Sequence, residues 1–419
     1  MIDLTGRSHA LRASLSAEMH VRRLPRFSSP CRLMQLVTLL GEGGAQASRA
    51  HVELLAIGCG VALPPGARYA VLPLDGVALV WEGHTEFASY TFIREGSFGA
   101  PFDPATFDSC AAIVAALPGE LIRATQIAVQ RRRTREPSRA TLEALFEASA
   151  LIACDVAEGR ARVMSDFTLH ADGFGRLLVL DKGLEGDETA QLIVRLQELG
   201  NYRNMALLGL PLAQQLTPEV SGLERQLSTL THKVSERASD DEAMLDELTY
   251  VSAELARLMA QTRYRMSATR AYAQLSIERL TSLGISAVRG YQSLGDFTER
   301  RLVPAVRTCD SFAARLEDLS QRAAWTSELL RTRIDIALAR QNRDLLASMD
   351  RRTKLQLRLQ QAVEGFSVVA ISYYLVALIG DVLGAVPGLR HEIAMAAAVP
   401  VVIAAVAFVV WRIKRGVKE

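Results

Sequence analysis

Three polar clusters carry residue types that can do chemistry: His20 with Arg22 and Arg23; Glu82, His84 and Glu86; and His170 with Asp172. Imidazoles beside carboxylates suit proton transfer near neutral pH or ligation of a divalent metal. Strand alternation places Glu82, His84 and Glu86 on one face. The acid–base candidates are therefore His84, Glu86, His170 and Asp172, and the metal candidates are His20, His84 and His170. The competing reading makes all of them solvated or hydrogen-bonded structural side chains. No motif names a cofactor: P-loop, HExxH and GxSxG signatures do not occur, and the GSFG run from Gly96 to Gly99 is too short for a phosphate loop. Five scattered cysteines (Cys31, Cys59, Cys110, Cys154 and Cys309) lack metal or redox spacing and read as small buried hydrophobes in a reducing compartment.

The elements that must position these residues follow from composition and pattern. The 419 residues allow two or three domains. A hydrophobic share of 49% excludes wholesale disorder, and a net charge of +2 gives no electrostatic reason to expect a nucleic-acid partner. The basic run Arg131, Arg132, Arg133 and Arg135 reads as a solvated loop that could also touch anionic lipid heads, at about 1 kcal/mol per charge.

Residues 1–216 read as a cytoplasmic α+β domain, since the first thirty residues lack the apolar run of a signal peptide. Strands are expected at Arg32–Leu40, Arg68–Leu72, Val77–Trp81, Glu86–Ile93, Leu121–Val129, Leu151–Val156, Ala161–Leu169 and Arg176–Leu180, with Asp75-Gly76 as a hairpin turn. Helices are expected at Gln46–Ile57, Pro104–Ala116, Ser138–Ala148 and Glu188–Gln215.

Residues 217–361 read as a long antiparallel, coiled-coil-like helical stalk. Thr217 and Pro218 look like an N-cap and first helical position. Heptad stripes run through Leu223, Leu230, Met244, Val251 and Leu258, and through Leu227, Val234, Leu248 and Leu255. Ser239 with Glu242 resembles a capping box, yet the unchanged heptad phase predicts continuity or a mild irregularity across it. The helices fold back with a tip near Gly284 to Pro304, and Leu302, Cys309, Leu316, Leu330 and Ile334 mark the return. The stripes fit either an intramolecular bundle core or an intermolecular coiled coil.

The tail carries the strongest pattern. The 16 uncharged residues from Gly365 to Gly380 span about 24 Å as helix, so a crossing of a roughly 30 Å hydrocarbon core must borrow neighbours. Residues 362–386 form transmembrane helix 1, residues 387–392 a short outer loop, residues 393–411 transmembrane helix 2 and residues 412–419 a basic tail. Arg351, Arg352, Lys354 and Arg358 precede the first span, and Arg412, Lys414, Arg415 and Lys418 follow the second. The positive-inside rule therefore makes both termini cytoplasmic in a two-span protein of the bacterial inner membrane. Tyr373 and Tyr374 fall near mid-span, where hydroxyls need partners, and are expected to face a neighbouring helix.

The segments WEGHTEFASYTF (Trp81 to Phe92), DFTLHADGFGRLLVLDKGL (Asp166 to Leu184) and LLASMDRRTKLQLRLQQAVEGFSVVAISYY (Leu345 to Tyr374) resemble the bacterial family of predicted membrane-anchored proteins termed domain of unknown function 3422. The resemblance covers nearly the whole chain and implies membrane attachment, with no activity attached. The family's His-Ala-Arg-Pro-like motif stands here as His20-Val21-Arg22-Arg23, with proline delayed to Pro25.

Three functions compete. A membrane-anchored interaction, scaffold or sensor protein would have the lipid bilayer, a protein partner and further copies of itself as partners. An oligomeric cation channel similar in layout to two-span magnesium channels would use Asp381 in its ion pathway, with Gly380-Asp381-Val382 where that family has Gly-Met-Asn. A metal-dependent enzyme would use His84 and His170.

Overall fold

The run from Cys31 to Leu39 is apolar on both faces and becomes a strand covered on both sides of a sheet. The computed structural model describes residues 8–12, 15–16, 26–131, 137–236, 240–384 and 391–416. Its elements in chain order are β1 (Cys31–Leu39), α1 (Gly44–Gly58), β2 (Tyr69–Leu74), β3 (Val77–Gly83), β4 (Phe87–Glu95), and a 3₁₀ turn Pro104–Cys110 leading into α2 (Ala111–Ala115). They continue with β5 (Glu120–Arg131), α3 (Arg139–Leu145), β6 (Ile152–Val156), β7 (Ala161–Ser165), β8 (Gly175–Asp181), α4 (Glu188–Leu207) and α5 (Gly209–Ser235). The last are α6 (Asp241–Ser282), β9 (Ser286–Ala287), α7 (Leu294–Gly384) and α8 (His391–Gly416). Contacts divide the chain into two units, Met1–Ala238 with Asp246–Trp325, and Ser239–Leu245 with Thr326–Glu419.

The first unit holds a nine-stranded sheet in the order β2-β3-β4-β1-β5-β8-β7-β6-β9. All pairs are antiparallel except β5 with β8. The expected turn at Asp75-Gly76 joins β2 to β3, with Gly76 supplying a φ of 67°. Alternation sorts the strand side chains between two cores. Met34, Leu36, Leu79, Trp81 and Tyr90 pack with Val52 and Ala56 of α1. Cys31, Leu33, Ile127, Val129, Leu177 and Val179 pack with Ile193, Leu196 and Leu199 of α4. Ser48 ties the first core together, bonding Tyr90 Oη at 2.7 Å and accepting from Trp81 Nε1 at 3.0 Å. The expected strand Ala161–Leu169 stops at Ser165, because Asp166 onward forms a side-chain-braced loop.

The helical region corrects several expectations. Pro218 lies inside α5 and starts no helix; the Thr217 hydroxyl donates to the Ala213 carbonyl one turn back. The heptad positions Leu223, Leu227, Leu230, Leu248, Val251, Leu255 and Leu258 are all buried. Continuity between Ser235 and Asp241 fails: the chain reverses, and Asp240 Oδ1 caps α6 by accepting from Ala243 N at 3.1 Å. Ser239 lies outside the described residues.

Three helices meet where two were expected. Arg257 of α6 pairs with Glu219 of α5, Arg270 of α6 with Asp310 of α7 at 2.7 Å, and Arg315 of α7 with Glu224 of α5. In residue order, α6 runs against both neighbours. The chain turns back near Gly284 as expected, between Ser282 and Leu294, and the turn also carries β9, where Ser286 and Ala287 pair with Asp155 and Cys154.

In the second unit α7 continues unbroken to Gly384, as the lack of Pro and Gly from Ala305 to Glu364 predicts. Among the described residues two helices are long and apolar enough to cross a membrane, the end of α7 and Met395–Arg412 of α8; the apolar window of α7 has 0% of its residues buried and that of α8 11%. The two approach closely at Gly380, where a Cβ would stand 3.3 Å from Met395 Cε. Tyr373 and Tyr374 are each 71% exposed among the described residues, and their rings pack edge to face on one another.

Candidate functional site

The predicted polar clusters resolve into separate structural ties. Glu82, His84 and Glu86 do not share a strand face, because β3 ends at Gly83 and the chain reverses through His84 to Glu86, with His84 N donating to Phe87 O at 2.9 Å. The His84 ring stacks on Phe87 at 4.1 Å, and its Nε2 stands 3.8 Å from Glu82 Oε2. Glu86 is held in a two-point pair by Arg265, at 2.9 and 3.2 Å, which suits it poorly to act as a base. Burial, and then the charge of Glu86, raise the Tyr272 phenol above its ordinary value.

His170 meets Asp166, at 3.0 Å, and not Asp172. The Asp166 carboxylate is fully buried and also accepts from the backbone N–H groups of Glu147 (2.9 Å) and Thr168 (3.2 Å). Asp172 accepts from Phe174 N at 3.1 Å and lies 3.5 Å from Arg176. Together these bonds pin the loop from Asp166 to Phe174. Among the described residues no three His, Cys, Asp or Glu side chains group so as to hold a metal. His20, Arg22 and Arg23 lie outside the described residues, as do Arg132, Arg133 and Arg135; Arg131 ends β5, exposed. Asp381 is exposed in the last turn of α7.

A different constellation lies between the sheet and α4, where the apolar core gives way to a buried polar layer. Gln35 Nε2 donates to Ser89 Oγ (3.2 Å), Gln197 Nε2 donates to Thr91 Oγ1 (3.2 Å), and Arg123 donates to Gln35 Oε1 and to Asn201 Oδ1 (3.0 Å). Gly200 seats the Arg123 guanidinium: a Cβ there would fall 2.5 Å from Nη2 and 2.6 Å from Cζ. Beyond Arg123 opens a cavity of about 240 Å³, lined by Arg123, Thr125, Phe167, Arg203 and Asn204, with Leu196, Leu199 and Leu294 on its apolar side.

The charge of this cavity is one-sided. Among the described residues neither Arg123 nor Arg203 pairs with a carboxylate, and the side chains of Arg203, Thr125 and Asn204 have no hydrogen-bond partner. Burial, reinforced by the like charge of Arg203, lowers the Arg123 guanidinium to about 9, and burial lowers Arg203 to about 10. Both remain protonated at neutral pH.

The Arg203 guanidinium lies over the Phe167 ring at 4.5 Å, Phe167 stacks on Phe297 at 4.4 Å, and Arg301 covers the far face of that pair at 3.9 Å from Phe297. Phe167 holds a φ of 53°, a left-handed conformation that costs a bulky residue about 1–3 kcal/mol and persists only where the surroundings enforce it. The Asp166 bonds and the four-layer stack are those surroundings.

The family described as "Protein of unknown function (DUF3422)" matches residues 7–417. The chain belongs to that family. No curated protein matches it. In this DUF3422 member, the segment from Asp166 to Leu184 supplies Phe167, Thr168, Leu169, Gly175 and Leu177 to the cavity wall. Pattern reading missed Arg123, Gly200, Arg203 and Asn204. The available signal was a lone arginine inside the apolar strand Leu121–Val129.

Proposed function

We propose that this DUF3422 member is a two-span protein of the bacterial inner membrane, with both termini and the sheet domain in the cytoplasm, acting as an interaction or sensor protein. The observation that carries the reading is the exposure of apolar surface on the two terminal helices: Phe366, Val369, Tyr373, Leu378, Val401 and Phe408 are each more than half exposed, and burying such surface in lipid is strongly favourable. The arginines and lysines flanking the spans supply the orientation. The helices α5, α6 and α7 act as the coiled-coil-like stalk, and exposed Leu338, Leu345 and Leu359, spaced in heptad multiples on α7, suit assembly with further copies of the chain.

Fractionation of a full-length, C-terminally tagged protein tests this. The protein should sediment with membranes, resist a high-salt wash and be released by detergent, and protease should remove the tag from inverted vesicles but not from intact spheroplasts. Recovery in the soluble fraction, or cleavage of the tag from outside spheroplasts, overturns the reading.

A further inference from the structure

Half-buried guanidiniums are costly to hold without a counter-charge, and proteins normally pair them with carboxylates. The first unit does this elsewhere: Arg265 with Glu86, Arg162 with Asp155 and Arg279 with Glu198. Arg123 and Arg203 break the pattern together, in the same cavity.

The arrangement around them is built. Arg123 is fixed by Gln35, Asn201 and the bare Cα of Gly200, and Arg203 by the Phe167 ring. These contacts leave guanidinium N–H groups open, since among the described residues Arg203 makes no hydrogen bond and Arg123 uses Nη1 alone. Thr125 and Asn204 add a hydroxyl and an amide that have no partner among the described residues, on the same wall. Two fixed positive charges with neutral donors beside them match a dianion with several acceptor oxygens, and the planar guanidinium fork suits phosphate oxygens. A monoanionic carboxylate would leave one charge uncompensated. The remaining wall, Leu196, Leu199 and Leu294, suits a small carbon body.

We propose that this cavity is a binding site for a small phosphate monoester, with the phosphate held by Arg123 and Arg203 and hydrogen-bonded by Thr125 and Asn204. All of these residues belong to the first unit, so the site does not depend on the membrane helices or on the function proposed for them.

The test uses the full chain in an uncharged detergent, titrated with inorganic phosphate, glycerol 3-phosphate and acetate, and read by calorimetry and thermal midpoint. Phosphate and glycerol 3-phosphate should bind saturably and raise the midpoint, and acetate should not. Arg123→Gln removes a member of a buried network and could unfold the domain. Arg203→Gln is therefore the deciding variant, because Arg203 donates no hydrogen bond among the described residues. It should fold and lose at least tenfold in affinity, with Arg203→Lys intermediate. Competition by phosphatidic acid in mixed micelles would identify a lipid headgroup as the source of the monoester, and its failure a soluble metabolite; either supports the site if it depends on Arg203. No saturable phosphate binding, an equal response to acetate, or unchanged binding in Arg203→Gln overturns the proposal.

Discussion

At the residue scale, charge compensation separates the ties that stabilise the fold from the group that is left uncompensated. Asp155 belongs to the first kind: it accepts from Arg162 at 2.8 and 3.0 Å and from Lys182 at 2.7 Å, linking β6, β7 and the end of β8. The hydrogen bond from Arg162, and after it that from Lys182, hold its carboxyl below the ordinary value of 3.8. A carboxyl depressed in the folded state contributes stability that is complete above its unfolded value and lost as pH falls through the folded one. Asp155→Asn should therefore cost about 1–3 kcal/mol in denaturant unfolding at pH 7. That deficit should shrink as pH falls below the ordinary value of 3.8 and vanish once it passes the lower value at which folded Asp155 protonates. A deficit constant across this range would remove the ion pair as its cause. The candidate residues legible in the sequence, His84, Glu86, His170 and Asp172, were conspicuous because isolated polar types stand out. The structure spends them on loop and helix attachment, and His170 does so through Asp166.

At the element scale, periodicity located nearly every strand of the sheet, because a strand covered on one or both faces must alternate or run apolar. It failed where side chains are small. The buried stripe of α6 continues past Leu258 through Thr262, Thr269, Ala273 and Ser276, which do not register as a hydrophobic repeat. Small residues are needed there because α5 approaches closely: a Cβ on Gly209 would sit 2.3 Å from Thr269 Oγ1 and 3.3 Å from Cys309 Sγ. Gly209→Ala should destabilise the protein by about 1–3 kcal/mol through overpacking, despite the better helix propensity of alanine. A thermal midpoint equal to or above that of the wild type would show that this crossing can open without cost. The reversal between α5 and α6 escaped for a related reason. Antiparallel helices can keep one heptad phase by coincidence of loop length, so phase alone does not distinguish a turn from a continuous helix.

At the scale of the whole molecule, the exposed hydroxyls of Tyr373 and Tyr374 bear on assembly. If these helices lie in lipid, each hydroxyl gains by meeting an acceptor from another copy, at about 1–2 kcal/mol. Light scattering of the full chain in mild detergent should report more than one copy per particle. Tyr373→Phe with Tyr374→Phe should shift the distribution toward the monomer, and a monomeric wild type would contradict assembly through this face. The sequence by itself determined the apolar tail, the unbroken helix leading into it and the strand and helix content of the first unit. Those properties depend on composition and on periods of two to seven residues, which neighbours along the chain set. Only the tertiary structure decided that Arg123 of β5 and Arg203 of α4 line one cavity without a carboxylate among the described residues, and that β9 joins the sheet after the three helices α4, α5 and α6. Such juxtapositions depend on which distant segments pack together, and local pattern carries no record of a counter-charge that is missing in space.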